Sequence, residues 1–213
     1  MIRLFAGFDP REEVGYHTFC SSVIHGTHAP VAIAPVTGLQ WDGTNAFTYA
    51  RFQVPKLCHY QGWAIFADGS DMVVRGDIYE LWKLCDDRFA VQVVKHHYNT
   101  QHPRKYVGTP MEADNDDYPC KNWSSVMLMN CSAPEWRDML PNQHGGYYHR
   151  FEFIDPRRVG KLPRKWNWLA DEFGENDDAE LLHWTAGIPA FHHYRDSPMA
   201  CEWFGANERA NRC

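Results

Sequence analysis

No run of apolar residues in this sequence approaches the ~20 needed to span a bilayer, and no charged-then-apolar leader opens it. Met1-Ile2-Arg3-Leu4 leads directly into Phe8-Asp9-Pro10. A soluble, cytoplasmic chain without a membrane span is therefore expected. Positive charge is also short: 21 Lys+Arg against 27 Asp+Glu leave a net charge of −6. Because affinity for a phosphate backbone scales with the phosphates neutralised, nucleic-acid binding is not expected. The seven cysteines, Cys20, Cys58, Cys85, Cys120, Cys131, Cys201 and Cys213, include no CxxC pair. Their odd number and scatter read as free thiols of a reducing compartment. Repeats, low-complexity tracts and Gly/Ser linkers are missing too, so residues 1–213 read as one domain. With 44% hydrophobic and 23% charged residues, the chain is long enough for a substantial core, which excludes disorder and fibrous architectures.

Twelve histidines and nine tryptophans are more than packing alone requires, and indole and phenol rings suit the apolar faces of sugars. Residues 2–8 read as a buried strand that stops at Asp9-Pro10-Arg11-Glu12. There Asp9 serves as N-cap, Pro10 occupies the first helical position and Glu12 completes a capping-box pattern. Tyr16, Phe19, Cys20, Val23 and Ile24 then recur at helical spacing. Further strands are predicted at 31–35, 63–67, 89–95 and 126–129, a helix at 47–58 kinked or ended by Pro55, and a short helix at 134–140. Strands alternating with helices predict an α/β fold with a mostly parallel sheet, whose ligand site lies beyond the carboxyl ends of the strands.

Three stretches carry candidate chemistry. Phe66-Ala67-Asp68-Gly69-Ser70-Asp71 sets two carboxylates at the end of an apolar strand, where desolvation and mutual repulsion favour a cation between them. Oxygen ligands point to Mg²⁺ or Mn²⁺, and a histidine in the same shell tilts the choice toward Mn²⁺. The plainer reading is a surface turn in which both carboxylates cap backbone amides. His183, inside the apolar run Leu181 to Phe191, reads alone as an ordinary core or surface histidine. Asn122-Trp123-Ser124-Ser125 before a buried strand reads alone as an ordinary turn. Spacing does not join the three.

A family pattern does. Tyr49 to Leu81 resembles the segment of GT-A glycosyltransferases, most closely the glycogenin-like glycosyltransferase family 8 and its short bacterial and phage relatives, in which an Arg-bearing helix leads to a strand and an aspartate-x-aspartate motif. Gly76-Asp77-Ile78 and Leu81 match the "gly-asp-ile … leu" that succeeds this motif in the family. Asn122 to Asn130 resembles that family's "asn-ser-gly-val-met-leu-ile-asn" strand, Leu162-Pro163 with Trp166-Asn167 its "leu-pro … tyr-asn" element, and His183 to Phe191 its closing "his-phe-x-gly … lys-pro-trp". Two departures stand out. The carboxylates are spaced D-x-x-D, and Pro189 occupies the place of the diphosphate-binding lysine, so that this role is either missing or taken by Arg51, Lys95 or Arg104.

The resemblance implies a single GT-A-like domain, with a nucleotide-sugar half (1–95) and an acceptor half (96–213). It implies transfer of a hexose from a nucleoside-diphosphate sugar, of uridine type, to a carbohydrate or other hydroxyl acceptor, with retention. Asp68, Asp71 and His183 would hold Mn²⁺ or Mg²⁺, and Phe8, Asp9, Arg51, Asp68 and Gly187 would meet the nucleotide. Asp68, Asp71, Asn122, Ser124 and Ser125 would form the catalytic wall. Two rival readings use the same fold: a binding protein without turnover, and a nucleotidyltransferase, which lacks its dense positive loop between Phe5 and Arg11. A zinc protein built on His96-His97, His192-His193 and the cysteines finds no ligand spacing to support it.

Overall fold

The computed structural model describes residues 1–38 and 45–212, so Cys213 lies outside the described residues. In chain order the strands are β1 (Ile2–Gly7), β2 (Val31–Val36), β3 (Trp63–Ala67), β4 (Met72–Val74), β5 (Val91–Val93), β6 (Arg104–Lys105), β7 (Ala113–Asp114), β8 (Val126–Asn130), β9 (Val159–Lys161), β10 (Trp168–Leu169) and β11 (Leu181–His183). The helices are α1 (Glu13–Gly26), α2 (Val54–Leu57), α3 (Ile78–Trp82), α4 (Glu135–Asp138), α5 (Gly145–His149), α6 (Ala170–Phe173) and α7 (Ala200–Ala210). Six strands form the main sheet in the order β2-β1-β3-β8-β5-β9. All neighbours are parallel except β8, which runs antiparallel to both β3 and β5. A second sheet, β10-β11-β4, lies beside it, and β6 pairs with β7. The fold is α/β with a mostly parallel sheet, as the alternation of elements predicts.

The central strands are apolar throughout because both of their faces are covered. In β3, Ala64 and Phe66 point into one core cluster with Phe47, Phe52 and Trp136, while Ile65 and Ala67 point into the other with Phe19, Val23 and Trp166. β8 divides the same way, Met127 and Met129 against Val126 and Leu128. Each such buried large side chain contributes roughly 1.5–3 kcal/mol. A third cluster, with Leu182, Trp184, Ile188 and Trp203, seats α7 on the second sheet.

Several local expectations need correction. Pro55 begins a helix instead of ending one: a 3-10 turn at Ala50–Gln53 passes into α2, where Pro55 needs no intrahelical donor. Asp9 does cap, accepting from Arg11 N at 3.0 Å. Glu12, however, turns into the interior and is 1% exposed, so no capping box closes. Ile24 faces solvent at 60% exposure, opposite the buried Phe19 and Val23. The six described cysteines are free thiols, and no helix among the described residues is long and apolar enough to cross a membrane.

Candidate active site

Where β3 ends, the chain turns sharply through Asp68-Gly69-Ser70-Asp71 into β4. Ser70 N donates to Asp68 O at 2.8 Å and Met72 N to Gly69 O at 3.0 Å. Gly69 takes φ +76°, which a side chain would resist. Ser70 Oγ donates to Gly7 O at 3.3 Å, tying the turn to the end of β1. From the other side α1 presses its backbone onto the turn: a Cβ on Gly15 would lie 1.9 Å from Ser70 O. The turn thereby aims two carboxylates three residues apart into one space.

His183 arrives through the second sheet. β11 pairs antiparallel with β4 in the register His183↔Met72, and Trp184 N donates to Asp71 O at 2.9 Å. This ladder brings residues 112 positions apart together, with His183 Nε2 3.2 Å from Asp71 Oδ2. One ligand atom each from Asp68, Asp71 and His183 lie within 4.8 Å of one another, and all three residues are buried. Asp71 Oδ1 is buried without a hydrogen-bond partner among the described residues. Two carboxylates, one imidazole and an orphaned buried oxygen fit a hard divalent cation, with the nitrogen favouring Mn²⁺ over Mg²⁺.

A layer of amides and hydroxyls orients the cluster. Asn167, fully buried, places Oδ1 2.9 Å from His183 Nδ1. Its Nδ2 donates to Ser125 Oγ at 2.8 Å and Asn122 O at 3.1 Å. Ser125 Oγ in turn donates to Asn122 O at 2.7 Å. Asn122 takes left-handed backbone, φ 61°, which asparagine tolerates better than most side chains. Arg51 Nη1 lies 2.6 Å from Asp68 Oδ1, an ion pair out of hydrogen-bond alignment, and donates to Ser124 O at 3.1 Å. Its guanidinium sits against the Phe47 and Phe66 rings.

Burial dominates the electrostatics. It pushes the Asp68 carboxyl up to about 7, with Arg51 opposing and Asp71 adding to the rise. Burial would lower His183, but the carboxylates of Asp71, Asp68 and Asp171 together turn the net direction upward. Glu12, behind the cluster, is held well above the carboxylate range by burial and then by Asp71 and Asp9. Burial thus disfavours the charged forms of Asp68 and Glu12, a cost that a cation at the cluster would reduce.

The cluster opens onto an inner compartment of about 110 Å³ and then an outer one of about 390 Å³, both lined by Lys105, Tyr118, Asn122 and His149. Of the residues singled out in the sequence, Arg51, Asp68, Asp71, Asn122, Ser124, Ser125 and His183 line the inner compartment. Phe8 and Asp9 do not: Phe8 packs edge-on against Tyr16, and Asp9 pairs with Arg11 and accepts from Ala46 N. Gly187 lies against the Tyr194 ring. Nor do Lys95 and Arg104 reach the cavity wall, Lys95 donating to Val159 O and Arg104 pairing with Glu112 and Asp114. Lys105, Lys121 and Arg150 supply the cavity's other cations instead. Lys105, Tyr106 and His149 sit in segments with no apolar period, so the only signal for them is a cluster of polar and aromatic residues between predicted strands.

No family model matches the chain. Among solved structures the fold is similar to the galactosyltransferase LgtC in complex with donor and acceptor sugar analogs, at TM-score 0.64 and 10% identity over 100% of this chain and 97% of that one. It is also similar to the bifunctional glycosyltransferase WbbM, at TM-score 0.63 and 14% identity over 97% of this chain. The glycosyltransferase GlyE of Streptococcus pneumoniae TIGR4 matches at TM-score 0.65 and 10% identity over 97% of this chain. The chain spans 49% of the WbbM chain and 60% of the GlyE chain. These likenesses establish a GT-A-like fold. In sequence the chain is 32% identical to Protein CDI of Arabidopsis thaliana over an alignment of 231 positions, covering 99% of this chain and 87% of that protein. With that identity over nearly its whole length, the chain belongs to the family of the Arabidopsis Protein CDI and carries a GT-A-like α/β fold.

Proposed function

We propose that the chain is a metal-dependent glycosyltransferase that moves a hexose from a nucleoside-diphosphate sugar, of uridine type, to a hydroxyl acceptor with retention. The observation that carries this reading is the buried Asp68–Asp71–His183 cluster with its unpartnered carboxylate oxygen, opening directly onto a cavity with Lys105 in its wall. Mn²⁺ bound there would act as a Lewis acid on the diphosphate. Asp68 and Asp71 hold the carboxylate side of the site, Asn167 fixes the His183 ring, and Arg51 keeps Asp68 in place. Lys105, in the wall of the compartment that holds the cluster, sets positive charge where the diphosphate would gain negative charge as the glycosidic C–O bond breaks, filling the role that Pro189 cannot. Such preorganised contacts favour the transition state over the ground state, and losing one typically costs ~100- to 1000-fold in rate. Residues 1–95, which carry Arg51, Asp68 and Asp71, are the nucleotide side. Residues 96–213, including Asn122, Ser124 and Ser125, form the sugar and acceptor side.

A panel of UDP- and GDP-sugars in a thermal-shift assay, with and without Mn²⁺, tests the reading. A ligand at 100 times its Kd stabilises the native state by about 2.7 kcal/mol. The expected result is a nucleotide-sugar shift that requires Mn²⁺ and disappears in Asp71→Ala. A Mn²⁺-independent shift, or none with any member, contradicts it. A second reading, binding without turnover, is favoured by Pro189 and the D-x-x-D spacing; Mn²⁺-dependent binding with no sugar-nucleotide consumption would select it.

A further inference from the structure

Ser124 makes a contact that the metal cluster does not explain. Its carbonyl accepts from Arg51, but its hydroxyl lies 2.7 Å from His149 Nδ1 and has no other partner among the described residues. The His149 ring is held between Tyr49 and Phe52, at centroid distances of 6.2 and 5.3 Å. Its helix, α5, is anchored by the buried Tyr148, which stacks on Phe52 and donates to Leu140 O. His149 Nε2 has no partner among the described residues, and the ring lines both compartments of the cavity. A ring fixed at Nδ1 and by its neighbours, with Nε2 unpartnered among the described residues, thus forms part of the wall that the two compartments share.

The group that this nitrogen meets is constrained by charge. Burial, and then the positive charges of Arg51 and Lys105, hold His149 down to about 3, so the ring is neutral at physiological pH. A neutral imidazole offers a phosphate no charge, whereas Lys105, which lines both compartments with it, does. A hydroxyl fits either tautomer. If Ser124 donates to Nδ1, Nε2–H donates to the ligand; if Nδ1–H donates to Ser124, Nε2 accepts from it.

We propose that His149, positioned by Ser124, binds a hydroxyl of the sugar at the wall that the two compartments share and so distinguishes a nucleotide sugar from the bare nucleoside diphosphate. The assignment rests on the nucleotide-sugar reading above. Calorimetric titration in Mn²⁺ of UDP-glucose, UDP-galactose, UDP-N-acetylglucosamine and GDP-mannose, each against its free UDP or GDP, tests it on wild type, His149→Ala, His149→Gln and Ser124→Ala. One lost neutral hydrogen bond predicts about 5- to 10-fold weaker binding of the sugar nucleotide to His149→Ala, with binding of the free diphosphate unchanged. His149→Gln, which keeps a polar end in the same place, should recover part of the loss if Ala disturbs the packing. Ser124→Ala should lose less than His149→Ala, again only with the sugar attached. Equal weakening of sugar nucleotide and free diphosphate, or no change in any variant while wild type binds, overturns the assignment alone. Failure of wild type to bind any of the four overturns the nucleotide-sugar reading and this assignment with it.

Discussion

Replacing Asn167 by alanine should damage both the fold and the cation site, and by amounts that the structure sets. The amide is 0% exposed and makes three bonds, to His183 Nδ1, Ser125 Oγ and Asn122 O. Ser125 Oγ still has Asn122 O as a partner, so the group left unpartnered is His183 Nδ1. An orphaned buried polar atom costs ~1–3 kcal/mol, and each of the other two bonds is worth roughly 1 kcal/mol net. A total of ~3–5 kcal/mol lowers Tm by roughly 6–20 °C for a domain of this size. Freed of its partner, the His183 ring also loses its fixed orientation, and groups that orient a metal ligand typically contribute ~10- to 100-fold in metal affinity. Thermal melting in chelator gives the first quantity, and a Mn²⁺ titration followed by Tm gives the second. A variant that melts within about 2 °C of wild type and binds Mn²⁺ equally well would refute the argument that this amide holds the site together.

Two further substitutions probe the surroundings. His96 is 5% exposed with both ring nitrogens unpartnered among the described residues, and burial, then His183, Arg164 and His97, hold it down to about 3. The unfolded chain therefore takes up this proton near pH 6.5 and the folded one does not, so the group's contribution to stability falls as pH drops from about 6.5 toward 3. His96→Phe should lose less stability than wild type between pH 7.5 and 5, measured by urea unfolding; an equal loss counts against this burial. Gly15→Ala forces a Cβ onto the backbone carbonyl of Ser70, which cannot swing aside as a side chain would. It should destabilise by about 1–3 kcal/mol and weaken Mn²⁺ binding by shifting the Asp68–Asp71 turn, and an unchanged Tm would show that the contact is not tight.

Much of this architecture is legible in the residues, for a physical reason. β3 and β8 are buried on both faces, so their apolar runs are continuous, and the Asp-Gly-Ser-Asp turn is marked by the glycine it requires. Asp71 and His183 are joined only through family resemblance, because an antiparallel pairing of two three-residue strands leaves no trace in local spacing. Asn167 is within reach, since it ends the Leu-Pro…Trp-Asn element, but its bond to His183 depends on β10 lying beside β11. Lys105 and His149 are not legible. They belong to a two-residue strand and a five-residue helix, elements too short to impose a period, and reach the cavity through tertiary packing alone. Asp9 reads as a nucleotide contact because it ends β1, yet its carboxylate is engaged by Arg11 and by the Ala46 amide. Arg104 similarly stands next to the cation that does face the cavity, on a strand whose successive side chains point opposite ways.

The most direct test of the central claim is release of nucleoside diphosphate from a sugar nucleotide by the purified wild type, monitored with Mn²⁺, with Mg²⁺ and with chelator, and compared with Asp71→Ala. The account predicts turnover that is fastest with Mn²⁺ and at least ~100-fold slower in chelator and in the variant, because the charge developing on the leaving diphosphate is then no longer neutralised. Equal rates under all three conditions would contradict it.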